Sequence, residues 1–197
     1  MIEKPIQKIY LVRHGETEWS LSGQHTGMTD IPLTENGKRM AKELEPFFAK
    51  QKLSLVLTSP LERARMTCEL AGLGDKAEVD PNLMEWDYGE YEGLTREQIH
   101  TQSLNWMIFK DGCPGGESPK QVEKRADQVI ARINKAEGTV VLFAHGHILR
   151  VLVSRWLGFS AEAGSHFLLD TGTISILSYY EGFQAVKQWN APLVSVS

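Results

Sequence analysis

The stretch KIYLVRHGETEW, residues 8–19, combines a short apolar run with an abrupt change to charged and polar residues. The run is rich in Ile, Leu and Val, which is typical of a strand buried on both faces of a parallel sheet. It ends at Arg13 and His14. The stretch TVVLFAHGH, residues 139–147, repeats the pattern, and its apolar run ends at His145. Two predicted strands therefore deliver basic side chains at their carboxyl ends.

The composition is that of an ordinary globular chain. Its 197 residues are 42% hydrophobic and 23% charged, so we expect one domain with a full core over residues 1–197. The net charge of −4 does not indicate nucleic-acid binding, and an anion site would need local basic residues. We find neither a signal-peptide pattern nor an apolar run of membrane-spanning length. Cys68 and Cys113 are too few for a disulfide scaffold, which fits a reducing cytosol. We expect a cytoplasmic protein without nucleic-acid or membrane partners. Formation of a homo-oligomer is left open.

Apolar periodicity predicts short strands that alternate with amphipathic helices. Strands are predicted over residues 6–12, 53–57 and 140–143, and helices over residues 35–50, 63–71, 119–136 and 148–157. This alternation favours an α/β fold, a three-layer α/β/α sandwich around a mostly parallel central sheet. Two further runs, TISILSYY and FQAVKQW, flank Glu181-Gly182 and predict a hairpin that adds antiparallel C-terminal strands.

Single residues predict where some of these helices begin and end. Pro46 predicts a kink or an early end in the first helix, and Pro60 suits the first turn of the second. Ser118 and Gln121 predict a capping box at the start of the third helix.

Two long stretches, residues 16–33 and 80–117, fit no regular pattern and are rich in Gly, Pro and polar residues. Long irregular segments in a compact domain are often binding loops or lids. We therefore expect an insert of irregular and helical structure at about residues 81–117 of the single domain.

Basic residues should meet at one edge of the sheet, because ligands bind outside the carboxyl ends of parallel strands. Arg13 and His14 follow one strand, Arg63 and Arg65 lie just after another, and His145 follows a third. Guanidinium groups match phosphate oxygens, helix N-termini add N–H donors, and a neutral imidazole can act as a nucleophile. Nearby positive charge would keep one histidine neutral, and a glycine after each histidine would let backbone approach a ligand. The set predicts a phosphate site suited to phosphoryl transfer.

A leaving alkoxide also needs a proton, and a carboxylic acid at the rim of the pocket could supply it. Glu85, in NLMEWDYGEYEGLT, lies beside Trp86 and Tyr88, whose rings could partly desolvate it. The residues alone leave three rivals open, which are Asp87, Glu90 and Glu92.

The remaining histidines allow other interpretations. His147 could contact the ligand or make a structural bond in a helix first turn, and His25 could line the pocket mouth or a surface loop. A metal site is disfavoured, because HGH has no carboxylate partner at a recognisable spacing and arginines would repel a divalent ion. We predict neither a metal nor a cofactor.

Four segments resemble the signature segments of the histidine phosphatase superfamily, which includes cofactor-dependent phosphoglycerate mutases and many small phosphatases. They are LVRHGETEW, TSPLERARMT, LMEWDYGEYEG and FAHGHILR, in this order between about residues 9 and 180. The resemblance implies that His14 forms a phosphohistidine intermediate and that Glu85 is the general acid and later the base. It further implies a phosphate pocket formed by Arg13, Arg63 and His145.

The resemblance also implies contacts to substrate outside this pocket. Thr26 and Gly27 align with a segment that touches substrate, and Gly146 would offer its backbone N–H. Ser20 stands where many members have Asn. Tyr88 completes the candidate set for substrate or phosphate binding.

The residues that follow the predicted acid favour hydrolysis over mutase exchange. Residues 86–138 contain no adjacent arginine pair of the kind that grips a substrate carboxylate in the mutases. The residue pattern of the chain is similar to that of the sedoheptulose-1,7-bisphosphatase-like members, which points to a sugar phosphate or bisphosphate as substrate. The predicted function is a metal-independent phosphatase for a small phosphate ester. A phosphoglycerate mutase-type isomerase and a non-catalytic phospho-ligand binder are the alternatives.

Overall fold

The computed structural model describes residues 7–192, and its centre is a six-stranded sheet in the order β3-β2-β4-β1-β5-β6. The strands are β1 (Ile9–Arg13), β2 (Leu53–Thr58), β3 (Ala77–Val79), β4 (Thr139–Ala144), β5 (Ile174–Tyr180) and β6 (Phe183–Ala191). Strands β1 to β4 run parallel, β5 pairs antiparallel with β1, and β6 pairs antiparallel with β5. The predicted α/β class with a mostly parallel sheet is confirmed.

Helices cover both faces of the sheet. They are α1 (Glu18–Ser22), α2 (Glu35–Glu43), α3 (Glu45–Phe48), α4 (Glu62–Leu70), α5 (Arg96–Gln102), α6 (Ile108–Asp111), α7 (Pro119–Lys135) and α8 (Gly146–Trp156). Ile9 and Leu11 of β1 pack in the core that contains α7 and α8 residues, whereas Tyr10 and Val12 pack with α3 and α4 residues. Because successive strand residues point to opposite faces, both faces of β1 must be apolar.

The predicted element boundaries hold with few corrections. Pro46 marks a real break, since α2 ends at Glu43 and Pro46 lies in the first turn of α3. The placement of Pro60 in a first turn is wrong, because Leu61 is the N-cap of α4 and Pro60 precedes it. The first predicted strand began at Ile6, which lies outside the described residues.

Local hydrogen bonding explains the elements that the sequence predicted best. The Ser118 hydroxyl accepts a hydrogen bond from the Gln121 N–H, and the Gln121 side chain accepts one from the Ser118 N–H at 2.9 Å. The tight turn between β5 and β6 has φ of 50° at Glu181 and 85° at Gly182, as a hairpin turn of the primed type requires.

Residues 81–117 form α5, α6 and two 3-10 turns, Pro81–Leu83 and Gly89–Tyr91. The segment is anchored by the side chains of Trp86, Trp106 and Phe109, which are buried in the same apolar core as α7 and α8. The backbone at Gly89 packs directly against the backbone at Pro114, since an added Cβ on Gly89 would lie 2.3 Å from the Pro114 carbonyl oxygen. The expected mixture of helical and irregular structure is therefore present, and it is packed on the core.

The loop that follows β1 is held tightly against α2. An added Cβ at Gly15 would lie 2.5 Å from the Gly37 carbonyl oxygen, and one at Gly37 would lie 2.2 Å from the backbone carbonyl oxygen of Glu16. Gly15 therefore allows the close packing of this loop against α2. Among the described residues, we find no helix with the length and apolar character needed to span a bilayer.

Candidate active site

A cleft of about 180 Å³ opens at the carboxyl end of β1. Arg13 and His14 form part of its wall, together with Gly146 and His147 from the first turn of α8 and with Glu85. Pockets for drug-sized ligands have volumes of about 300–1,000 Å³, so this cleft suits a smaller molecule.

His14 is buried and its ring is oriented by its own loop. Its Nδ1 lies 2.7 Å from the Gly15 carbonyl oxygen, which can only accept, so Nδ1 carries the proton and donates. This bond fixes the tautomer in which Nε2 keeps a free lone pair. The loop is held in turn by the Thr67 hydroxyl, which accepts from the Gly15 N–H at 3.0 Å.

Arg13 lines the cleft and has a buried donor that no other group uses among the described residues. Its Nη1 donates to the Leu169 carbonyl oxygen, and its buried Nε has no hydrogen-bond partner among the described residues. Burial lowers the pKa of Arg13, and the nearby Glu85 carboxylate opposes that effect. A buried N–H without a partner is costly, so an anionic ligand oxygen at this point would stabilise the site.

Arg63 and His145 are fully buried and pack directly behind His14, whose ring centroid lies 5.2 Å from that of His145. The Arg63 Nε donates to His145 Nδ1 at 3.1 Å, and the His145 Nε2 lies 2.7 Å from the Ser59 hydroxyl oxygen. Arg65, two residues further along α4, is exposed. The sequence could not choose between the two arginines, and the resemblance chose the buried one.

The other Arg63 donors hold the loop over the cleft. Its Nη groups donate to the carbonyl oxygens of Thr26, Gly27 and Thr29 at 2.9–3.0 Å. With the Nε bond, four of its five N–H groups have a partner among the described residues, and one Nη1–H remains. The Glu92 carboxylate accepts from the Gly27 and Thr29 N–H groups, so this loop is held from both sides.

Among the described residues, Glu85 is the only one with a carboxylate that lines the cleft. Its side chain lies against the N-terminus of α8. Its Oε1 accepts from the Trp86 and Ile148 N–H groups at 2.9 Å, and its Oε2 accepts from the His147 N–H at 3.0 Å. An added Cβ on Gly146 would lie 3.7 Å from Glu85 Oε2 and 3.5 Å from the Arg13 guanidinium carbon. Glu85 and Arg13 therefore flank the same point of the cleft.

The rival carboxylates have structural contacts elsewhere. Asp87 accepts from the Gly89 N–H at 3.0 Å, Glu90 is exposed, and Glu92 holds the loop described above. None of the three lines the cleft.

The candidate substrate-binding residues divide into two groups. Ser20, Thr26, Tyr88 and Gly146 line the cleft, whereas Gly27 does not and donates its N–H to Glu92. The Ser20 hydroxyl already takes part in the capping box of α1, where it accepts from the Thr17 N–H and donates to the Thr17 carbonyl oxygen. The Tyr88 hydroxyl lies 2.6 Å from His147 Nδ1.

A sequence model for the histidine phosphatase superfamily, branch 1, matches residues 9–192. The chain belongs to the histidine phosphatase superfamily. It is 38% identical to an acid phosphatase of Mycobacterium tuberculosis, over 89% of this chain and 88% of that protein. It is 39% identical to sedoheptulose 1,7-bisphosphatase of Saccharomyces cerevisiae, over 77% of this chain and 68% of that protein. A solved structure of an open reading frame from Mycobacterium tuberculosis has a TM-score of 0.88 at 35% identity and covers 94% of this chain and 98% of that one.

The cleft of this histidine phosphatase contains basic residues that the sequence did not assign to the site. His25 and His147 both line the cleft, with nearly parallel rings whose centroids lie 6.1 Å apart. Arg150, one turn further along α8, also lines the cleft and was not singled out. The spacing of Gly146 and Arg150, four residues apart on a helix, was the signal that could have found it.

A clamp on the Glu85 segment was also missed. Arg125 of α7 pairs bidentately with the Glu117 carboxylate, with two N–O distances of 2.7 Å. The same guanidinium donates to the carbonyl oxygens of Asn82, Met84 and Glu85. One side chain thus fixes the backbone that carries Glu85, across 40 positions of sequence.

The site keeps its histidines neutral. Burial lowers the pKa of His14 and His145 well below 6.5, and the Arg63 and Arg13 charges lower both further. Burial also lowers the pKa of His147 well below 6.5, with Arg150 as the next cause. Each imidazolium would lose hydration and face guanidinium groups, so the neutral form wins.

We expect His14, His145 and His147 to stay neutral at pH 6, where an unperturbed histidine is largely charged at its pKa of about 6.5. NMR titration of labelled imidazoles measures this, with an unstructured histidine-containing peptide as the reference. Because the folded state binds fewer protons than the unfolded chain, stability should fall as the pH drops below about 6.5. Titration of His14 near the pKa of about 6.5 of an unperturbed histidine would contradict the prediction.

We expect Arg125→Met to destabilise the fold by about 3 kcal/mol, because it leaves the Glu117 carboxylate partly buried without its counter-ion. Arg155→Met is the matched control, since Arg155 also pairs bidentately with a carboxylate, Asp127, but on a more exposed surface. Its cost should stay below about 1 kcal/mol. Urea unfolding measures both, and equal costs would refute the clamp.

Proposed function

We propose that this chain is a metal-independent phosphatase that hydrolyses a small phosphate ester through a phosphohistidine on His14. The observation that carries the proposal is the tautomer of His14. Its Nδ1–H is held by the Gly15 carbonyl oxygen, so the lone pair on Nε2 is available in a cleft lined by Arg13, whose buried Nε has no partner among the described residues. A neutral imidazole beside an unused guanidinium donor suits attack on phosphorus.

In the first step, Nε2 of His14 attacks phosphorus, the P–N bond forms and the bond from phosphorus to the leaving oxygen breaks. Arg13 donates to the equatorial oxygens of the transferring group, and Gly146 adds its N–H at the start of α8. Arg63 and His145 are proposed to complete the phosphate pocket. The remaining Arg63 Nη1–H is the donor available for it, while its other donors hold His145 and residues 26–29.

Glu85 supplies the proton that the leaving alkoxide needs. Its Oε1 already accepts two hydrogen bonds and its Oε2 accepts one, so Oε2 is the oxygen with room for a proton. Oε2 is also the oxygen that approaches the point flanked by Arg13. His147 is a poor substitute, because its lowered pKa leaves it neutral at pH 7.

In the second step, Glu85 acts as the base. Its carboxylate takes a proton from water, the water oxygen attacks phosphorus, and the P–N bond breaks. Inorganic phosphate leaves, and both His14 and Glu85 return to their starting protonation states.

A sugar phosphate or bisphosphate is the proposed substrate class. The cleft is small and polar, and the relative from Saccharomyces cerevisiae is named for a sugar bisphosphate. Ser20, Thr26 and Tyr88 would contact the part of the substrate that leaves, whereas Gly27 would act through the loop that it helps to form. We further propose a cytoplasmic, single-domain enzyme with its insert at about residues 81–117, supported by two cysteines that are both unpaired.

His14→Ala should lower phosphate release by at least about a thousandfold, because the nucleophile is lost. Wild-type enzyme quenched during turnover of a 32P-labelled substrate should carry acid-labile, base-stable label that the variant lacks. His166→Ala, at an exposed histidine, is the matched control.

Activity above a tenth of wild type in His14→Ala would refute the nucleophile. Loss of activity with a chelator, restored by a divalent ion, would refute the metal-independent mechanism. Interconversion of phosphoglycerates without phosphate release would favour the mutase alternative.

Glu85→Gln should slow alkyl phosphates by about 100-fold or more and slow p-nitrophenyl phosphate far less, because nitrophenolate leaves without a proton. Glu90→Gln is the control at an exposed carboxylate of the same segment. Steady-state kcat values on the two substrate types measure the difference, and equal slowing would rule out the acid role.

A further inference from the structure

Three guanidinium groups that are not fully exposed have no carboxylate partner among the described residues. Arg125, Arg132 and Arg155 each pair with an acidic side chain, whereas Arg13, Arg63 and Arg150 do not. Arg13 and Arg63 belong to the phosphate site proposed above. Arg150 lines the same cleft and has no part in that mechanism. The Glu85 carboxylate opposes the lowering of the Arg150 pKa by burial, but no ion pair joins the two side chains. A partly buried cation without an ion pair is costly, which suggests that a ligand supplies the anion.

Contacts on two sides hold the Arg150 side chain in place. Its Nε donates to the Gly164 carbonyl oxygen at 3.0 Å, and its guanidinium carbon lies 4.5 Å from the centroid of the Phe109 ring. The absence of a side chain at Gly164 makes this possible, because an added Cβ there would lie 2.6 Å from the Phe109 ring. A guanidinium that is oriented in advance loses less entropy when it binds an anion.

The position of Arg150 is separated from the phosphate site by one helical turn. Gly146 and Arg150 are four residues apart on α8, which corresponds to a rise of about 6 Å on the same face. Gly146 adjoins Arg13 and Glu85, as its added Cβ position indicates. Arg150 therefore faces a part of the substrate that lies beyond the scissile phosphate.

Two neutral imidazoles line the same cleft. The His25 Nδ1 donates to the Leu94 carbonyl oxygen, and the His147 Nδ1 is bonded to the Tyr88 hydroxyl. In each ring, Nε2 has no partner among the described residues. A neutral ring nitrogen is better matched to a hydroxyl group of a ligand than to a second anionic group. Burial lowers the pKa of both histidines, so Arg150 is the cation at this position.

We propose that Arg150 binds a second anionic group of the substrate, a phosphate or a carboxylate, while His25 and His147 contact hydroxyl groups on the carbons between the two anions. The preferred substrates are then phosphate esters of hydroxylated carbon chains that carry a second anion. This inference rests on the proposed function for the location of the scissile phosphate, but its test needs no turnover.

A purely structural role for Arg150 would have a different signature. Its bonds to Gly164 and Ser165 could serve only to hold the 3-10 helix Ala161–His166. Its removal would then weaken all ligands equally. Discrimination between matched ligands with and without the second anion separates the two roles.

Calorimetric binding in a His14→Ala background tests the proposal. The probes are fructose 1,6-bisphosphate against fructose 1-phosphate, and 3-phosphoglycerate against glycerol 3-phosphate. At least one pair should differ by about 10- to 100-fold in Kd, as expected for hydrogen bonds to a charged group. Arg150→Met should reduce that ratio to below about threefold, Arg150→Lys should keep part of it, and Arg155→Met should keep all of it.

The two pairs also identify the anion, since the first tests a phosphate and the second a carboxylate. Equal Kd values within both pairs before any change at Arg150 would overturn the proposal, even if Arg150→Met fails to fold. An unchanged ratio in Arg150→Met would also overturn it. Phosphate release by the wild-type enzyme tests the proposed function separately, because binding can discriminate whether or not turnover occurs.

Discussion

The structure around the cleft depends on placing guanidinium groups in a partly dry environment, where none of the three forms an ion pair with a carboxylate among the described residues. Backbone carbonyl oxygens accept the hydrogen bonds of these guanidinium groups. Leu169 accepts from Arg13, three residues of the 26–29 loop accept from Arg63, and Gly164 accepts from Arg150. Carbonyl dipoles satisfy donors without cancelling the net charge. The charge therefore stays available for an anion, and the loops that supply the carbonyls take the shape that the arginines require.

The same arrangement sets the protonation of the histidines. Imidazolium would be desolvated and would face Arg63 and Arg13, so His14 remains neutral at physiological pH. Neutrality makes the lone pair available, and the Gly15 carbonyl oxygen decides that it lies on Nε2. A single concentration of positive charge thus favours both the proposed anion site and the proposed nucleophile.

Glu85 is a carboxylate within this positive environment, and its anchor is the N-terminus of α8. The helix start offers N–H groups and a favourable dipole for a negative group. Arg125 and Glu117 hold the segment before and after Glu85, so the residue occupies one position although its segment is irregular. The insert supplies Phe109, against which Arg150 lies, and thereby contributes to the part of the cleft that is proposed to contact the leaving group.

The sequence by itself determined the features that depend on neighbours within a few residues. The strand followed by Arg13-His14, the capping box at Ser118 and the tight turn at Glu181-Gly182 are local patterns, and the structure has all three. Edge strand β3 was missed because three residues with little burial leave no periodic signal. Tertiary structure alone decided which arginines lack counter-ions, that Arg63 is buried while Arg65 is exposed, and that His25 meets His147. These outcomes join residues that are far apart in the chain, and packing of the whole core brings them together.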